Sequence, residues 1–249
     1  SGRAVFTGSV GKLLPFVYFI GKCSHAGAPF DGINPVLAAS EFAQAVECNP
    51  DFLQERQSSP GEEPPPPTIL YFRESRQRYD VTTPDSVFVA MNILTHSKSP
   101  QEVLELVSKA AFDAMNRSIS TLRERASTMA RRVSGHFFLP VRTPRVLSFE
   151  ELAALAEHTS PGILEKTRAY AISKCPEDQV QQTLLVLKEL VPFSNIEGPA
   201  VIVGFAPPYY ARAELDKAKY LDFVTRLRAE LLAFSQQTGK SVRVRPFFP

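Results

Sequence analysis

Residues 14–24 read LPFVYFIGKCS, and residues 25–34 continue as HAGAPFDGIN. The first run is rich in aromatic and β-branched side chains, which predicts a buried strand. The second is a loop by its Gly, Pro, Asp and Asn content. Asn34 followed by Pro35 starts a helix, with a side-chain N-cap and proline at the first helical position. That helix is expected to run to about Glu47, with Val36, Ala39, Ala43 and Val46 facing inward.

Working outward, residues 49–67 contain Glu62, Glu63 and the tetraproline Pro64–Pro67. Four successive prolines form neither helix nor central strand, so this stretch reads as an exposed, mobile insertion. Two strands are expected next, about Thr68–Glu74 and Ser86–Thr95, joined by the polar stretch SRQRYDVTTPD. Ser99, Pro100 and Glu102 form a capping box with proline at N1 and open a long helix. Its stripe is Met115, Ile119, Leu122, Ala126, Met129 and Val133; continuous to Gly135, it would be about 50 Å long. A strand around His136–Val141 would complete a β-α-β-β-α-β order. That order predicts an α+β fold, a four-stranded antiparallel sheet with two helices on one face.

The chain then changes character. Ser148 with Glu151 caps a short helix, another follows Pro161, and a third spans about Pro176–Val191 with Val180, Leu184, Leu187 and Val191 inward. Ala200–Phe205 is apolar enough for a strand buried on both faces. A helix from about Ala213 to Thr238, with Tyr220, Val224, Leu227, Leu231 and Phe234 as its stripe, and a strand over Ser241–Phe247 suggest a parallel crossover. The expected division is an α+β module over 1–147 and a helical and α/β segment over 148–249.

Composition excludes several classes. With 44% of 249 residues hydrophobic, the chain can bury a core without disulfides or metal. A net charge of +2, with basic residues dispersed except around Arg123, Arg125, Arg131 and Arg132, argues against nucleic-acid binding. No run of about 18 apolar residues predicts a membrane span, and no signal-peptide pattern precedes Leu13–Ile20. Cys23, Cys48 and Cys175 suit reduced thiols in a cytoplasmic protein. The absence of an initiating Met at Ser1, and Pro249 closing a strand-like run, read as a piece of a longer polypeptide.

For chemistry, the sharpest stretch is GKCSHAGAPFDGINP, residues 21–35. His25 lies just past a strand end in a Gly-rich turn, where an imidazole can donate a hydrogen bond to a carbonyl oxygen developing charge. From spacing alone, a turn histidine bonded to local backbone is the commoner reading. Gly8-Ser-Val-Gly-Lys12 is no phosphate loop, because two residues separate the glycines where four are needed and Leu13 follows the lysine. Cys23 reads as a buried structural cysteine in preference to a nucleophile, since no acidic orienting partner is evident. His25, His96, His136 and His158 are scattered, with no metal-ligand spacing around them.

The stretches SVGKLLPFVYFIGKCSHAGAPFDGINP, SVFVAMNILTH, VIVGFAPPYY and RPFFP together resemble the zinc metallopeptidase and amidohydrolase family. This is the family of aminoacylase, carboxypeptidase G and succinyl-diaminopimelate desuccinylase, and the resemblance is to its arginine-utilisation (RocB-type) branch. It implies a lid/dimerisation domain over 1–147 and part of the catalytic domain over 148–249. It implies a homodimer in which His25 reaches the partner's active site and steadies the reacting carbonyl of a small amino-acid derivative or peptide. Asn34 matches the family's helix-start asparagine and is a substrate-binding candidate beside its capping role. NILTHS, residues 92–97, offers Asn92 and His96 where a carboxylate-holding arginine is expected; His96 is a weaker substrate-facing candidate beside a surface-histidine reading. The family's zinc ligands have no counterpart here, so zinc belongs to the intact enzyme and the isolated chain is expected to be inactive. The rival readings are a non-catalytic binding or assembly module with a structural histidine loop, and a small thiol enzyme using Cys23.

Overall fold

The computed structural model describes residues 3–53, 63–74, 76, 78–137, 143–216, 218–245 and 247. Strands β1 (Arg3–Phe6), β2 (Gly8–Ser9), β3 (Gly11–Leu13) and β4 (Pro15–Ile20) lead to α1 (Pro35–Val46). Next come β5 (Thr68–Glu74), β6 (Ser86–Thr95) and the long helix α2 (Pro100–Val133). After these run β7 (Arg145–Ser148), α3 (Phe149–Thr159), α4 (Ile163–Lys174) and α5 (Gln179–Leu190). β8 (Ala200–Phe205), β9 (Ala213–Glu214), α6 (Leu221–Thr238) and β10 (Val242–Arg245) complete the order. The protein is α+β, and no helix among the described residues is long and apolar enough to cross a membrane.

The main sheet forms around β6. One edge of β6 pairs antiparallel with β5, and the other with β3 and β4 in one register interrupted at Leu14 and Pro15. β4 pairs antiparallel with β8 from Pro15↔Phe205 to Ile20↔Ala200, and β7 adds to β8 in parallel. Side chains alternate across a pleated strand, so an unbroken apolar run serves two interiors. Val17 and Phe19, with Val87, Val89, Met91 and Val201, face α1 and α2. Phe16, Tyr18 and Ile20, with Phe88 and Ile202, face α3, α4 and α5. The two helices foreseen for one face are α1 and α2, and the opposite face is covered by the later helices.

Local chemistry explains the helix ends. Asn34 Oδ1 accepts from Val36 N–H at 3.0 Å. Ser99 and Glu102 form a reciprocal capping box, as do Ser148 and Glu151. The Ser99 hydrogen bonds hold the Glu102 carboxyl below its ordinary value. Glu157 on α3 takes the amides of Leu164 at 2.8 Å and Gly162 at 2.7 Å, which holds its own carboxyl low and joins α3 to the start of α4.

Several expectations need correction. His136 and Phe137 form no strand, and residues 138–141 lie outside the described residues; the place beside β4 belongs to β8. The crossover does not form, because β10 pairs in parallel with β1 and not with the sheet that contains β8. Ala213 opens no helix: Ala213–Glu214 pairs with β2, and α6 begins at Leu221 with none of its stripe buried. On α1, Ala39 and Val46 of the expected stripe are buried, whereas Val36 and Ala43 are half-buried and Ala38 and Phe42 take the inner places. On α2 the buried run ends at Ala126, leaving Met129 and Val133 exposed. The reason is length, since 34 helical residues span about 50 Å whereas ten-residue β6 spans about 33 Å. Of the insertion expected over 49–67, residues 54–62 lie outside the described residues, and Pro67 is buried where its carbonyl accepts from Cys48 N–H at 2.9 Å.

Phe42, fully buried with its ring 5.7 Å from that of Phe19, should lose about 3–5 kcal/mol of stability as Phe42→Ala. Met129→Ala should stay within about 0.5 kcal/mol. Urea denaturation of the two variants checks both, and an equal cost would contradict the overhang of α2.

Candidate functional site

β4 ends at Ile20, and Gly21 N–H donates to Asp85 carbonyl at 2.8 Å. Lys22 and Ile33 then exchange both backbone hydrogen bonds, at 2.9 and 2.8 Å, closing residues 22–33 into a loop. The closure needs glycine at 32, where a Cβ would stand 2.4 Å from the Lys22 carbonyl oxygen. Within the loop, residues 24–26 run antiparallel to residues 81–83. Ser24 N–H donates to Thr83 Oγ1 at 2.9 Å, Thr83 N–H to Ser24 carbonyl at 2.8 Å, and Ala26 N–H to Val81 carbonyl at 2.7 Å. His25 bridges Thr82 at the centre of this short ladder.

The opposing segment is braced in turn. Arg76 Nη1 donates to the Thr82 carbonyl at 2.6 Å, and its Nη2 pairs with Glu74 at 2.6 Å. The Glu74 hydrogen bond raises the Arg76 pKa above its ordinary value. Asp80 Oδ1 accepts from Val81 N–H at 2.6 Å. The polar stretch that the sequence presents only as a connection is therefore the rail on which the histidine turn lies. Residues 75–85, SRQRYDVTTPD, carry no apolar period by which to assign partners.

His25 is exposed, and its Nδ1 accepts from Gly27 N–H at 3.0 Å. In the neutral ring that bond puts the proton on Nε2, the nitrogen it leaves free. A Cβ on residue 27 would lie 3.1 Å from Nδ1, so glycine there lets the amide approach the ring. Asn34 sits at the exit of the same loop, with Oδ1 committed to the α1 cap. His96 is elsewhere. It follows the far end of β6, on the order of 30 Å along the sheet from the His25 end. It is also no surface histidine: it is 7% exposed, and its ring stacks on Phe247 at 4.3 Å. Asn92 Oδ1 is buried with no hydrogen-bond partner among the described residues.

Cys23 is exposed, not buried, because β4 stops before it and the loop carries it outward. Cys48 donates to Glu47 Oε1 at 3.5 Å, and that hydrogen bond raises the thiol's pKa. Beside the histidine turn, Gly27–Asp31 and the overhanging end of α2 flank a groove of about 800 Å³. Arg125, Arg132, Phe30 and Phe137 line it, with the two phenyl rings 5.2 Å apart.

The family resemblance implies zinc, and the donors among the described residues do not fit it. No three His, Cys, Asp or Glu side chains converge among the described residues.

Removing the brace by Arg76→Ala should raise amide exchange at Ala26 and Thr83 about tenfold. Global stability should change by less than about 1 kcal/mol, since this ion pair is partly exposed. Hydrogen exchange read by NMR checks this, and unchanged exchange would show that the loop holds without Arg76.

No family model matches the chain. The uncharacterised protein YqjN of Bacillus subtilis (strain 168) is 30% identical over 210 residues, covering 82% of this chain and 37% of YqjN. Protein RocB of the same organism is 25% identical over 264 residues, covering 99% of this chain and 44% of RocB. The chain thus spans less than half the length of either relative. Among solved structures, an amidase of the hydantoinase/carbamoylase family from Burkholderia vietnamiensis aligns at 13% identity and TM-score 0.38, over 100% of this chain and 37% of that one. A tripeptidase from Staphylococcus aureus aligns at 13% identity and TM-score 0.34, over 82% of this chain and 46% of that one. The sequence relationship to RocB is the informative one, because that similarity runs along nearly the whole chain.

Proposed function

We propose that the chain forms the lid, and part of the catalytic domain, of a metal-dependent hydrolase acting on amide bonds of small amino-acid derivatives or peptides. The observation that carries this is the state of His25, exposed on a braced loop with Nδ1 engaged and Nε2 free to donate. Such a donor, held before substrate arrives, stabilises negative charge on a carbonyl oxygen without reorganising. Asn34 supports it by fixing the loop exit, and a direct substrate role for Asn34 or His96 is secondary. Zinc supplies the water-activating chemistry in the intact enzyme, from residues outside this chain. On its own the chain turns over no substrate.

In this reading His25 acts in the pocket of a partner copy. The open edge of β5 supports a symmetric homodimer: it pairs only with β6 among the described strands, and it presents Leu70 at 61% and Phe72 at 45% exposure. A share in the catalytic domain is supported where the two ends of the chain meet. There β1 and β10 form a parallel pair with α6 beside it, a layer that parallel strands normally bury on both faces. Free Cys23, Cys48 and Cys175 suit a reducing cytoplasm. An arginine-derived substrate would follow from the RocB-type relationship.

A binding or assembly module is the second reading, favoured by the local Gly27–His25 bond, which a purely structural turn would also make. The two differ in one measurement. His25→Ala in the full-length enzyme should lower kcat by about 10²–10³ with metal content unchanged; normal turnover would leave the module reading. For the dimer, Leu70→Asp on the β5 edge should shift the protein to monomer in sedimentation. An unaltered dimer would move the interface elsewhere.

A further inference from the structure

We propose that the cavity between α4, α5 and the sheet is a binding site for a small monocarboxylic acid with an aromatic or branched apolar body. The cavity has a volume of about 290 Å³ and lies on the sheet face opposite α1 and α2, remote from the His25 turn in the fold. Its floor is aromatic: the rings of Phe16 and Phe149 meet edge to face at 6.3 Å, and Phe16 is itself stacked on Phe88 at 5.6 Å. Gly204 on β8 makes room for this arrangement, because a Cβ there would come within 2.8 Å of the Phe16 ring and 3.0 Å of Phe149 Cβ.

The walls are Ala171 on α4 and Val186 on α5, both buried. At the mouth, polar groups are largely committed. Gln182 Nε2 donates to Cys175 carbonyl at 2.6 Å, and Thr183 Oγ1 donates to Gln179 carbonyl at 2.9 Å. Arg168 differs. Among the described residues it is the one charged side chain lining the cavity, and it makes no ion pair with any of them.

The cavity would hold about ten water molecules at ~30 Å³ each, most of them facing rings and methyl groups that offer no hydrogen bonds. An apolar body of about ten heavy atoms displaces them favourably, and a carboxylate places two oxygens against the guanidinium fork. A cation would meet Arg168 with like charge, and a fully apolar molecule would leave the guanidinium without a counter-ion. This site stands independently of the role assigned to His25.

The test uses phenylacetate as probe, with 2-phenylethanol as the neutral analogue of the same shape. The readout is methyl NMR at Ala171 and Val186. Phenylacetate should bind saturably and shift both methyls. Arg168→Gln should weaken phenylacetate about tenfold while leaving 2-phenylethanol unchanged. Thr183→Phe should remove binding of both by filling the mouth, and His25→Ala should leave binding intact. Absence of saturable binding at millimolar phenylacetate overturns the proposal. So does binding that moves methyls elsewhere, or binding to which Arg168→Gln is indifferent. Arg168 is exposed, so that variant decides the matter even where Thr183→Phe fails to fold.

Discussion

The six residues of β4, Pro15–Ile20, are buried without exception and serve two interiors at once. Everything else is arranged around that condition. A strand with apolar groups on both faces must be covered twice, and α1 with α2 covers one side while α3, α4 and α5 cover the other. It must also lie centrally, because its backbone groups can be satisfied only by neighbours on both edges. β6 and β8 supply them, and β8 arrives from a point in the chain some 180 residues later. The last buried residue of β4 is followed immediately by the glycine that turns the chain toward His25, so the double core is also what aims the loop.

The loop shows how a side chain can be both exposed and placed. Its backbone is held by the Lys22–Ile33 pair and by the short ladder to residues 81–83, whose far side Arg76 secures. Each of these bonds is worth about 1 kcal/mol net, and together they tie the backbone on both sides of His25 to its neighbours. The imidazole therefore reaches solvent from a fixed base, with one nitrogen engaged by its own turn. Catalytic positioning and ordinary turn chemistry coincide in the Gly27 bond, which is why that contact alone does not separate the two functional readings.

Legibility in the sequence followed the locality of the cause. β4, β6 and the starts of α1, α2 and α3 were readable because their signals lie within a few residues: apolar runs, Asn34-Pro35, and the Ser99/Glu102 and Ser148/Glu151 boxes. The fourth antiparallel strand was misplaced because β7, α3, α4 and α5 intervene before β8, and no local pattern marks which apolar run closes a sheet. The α6 stripe was legible as a pattern but is not buried, since periodicity says which side would be buried and not whether anything is there. At the site, the position of His25 past a strand end was legible. The bracing by Arg76 was not, nor the burial of His96 against Phe247, because both join segments far apart in sequence.

The pairing of β1 with β10 has a kinetic consequence. Closing a chain loop of some 240 residues would cost about 5 kcal/mol of entropy if attempted in the unfolded chain. The bridge of Lys12 to Tyr210 and the short β2–β9 pair are intermediate rungs between the sheet and that closure. The two flanking segments can thus zip outward from the finished double core, each rung reducing the span left for the next. Melting would run the same way in reverse, so the outermost rung should exchange its amides first while the double core stays shut.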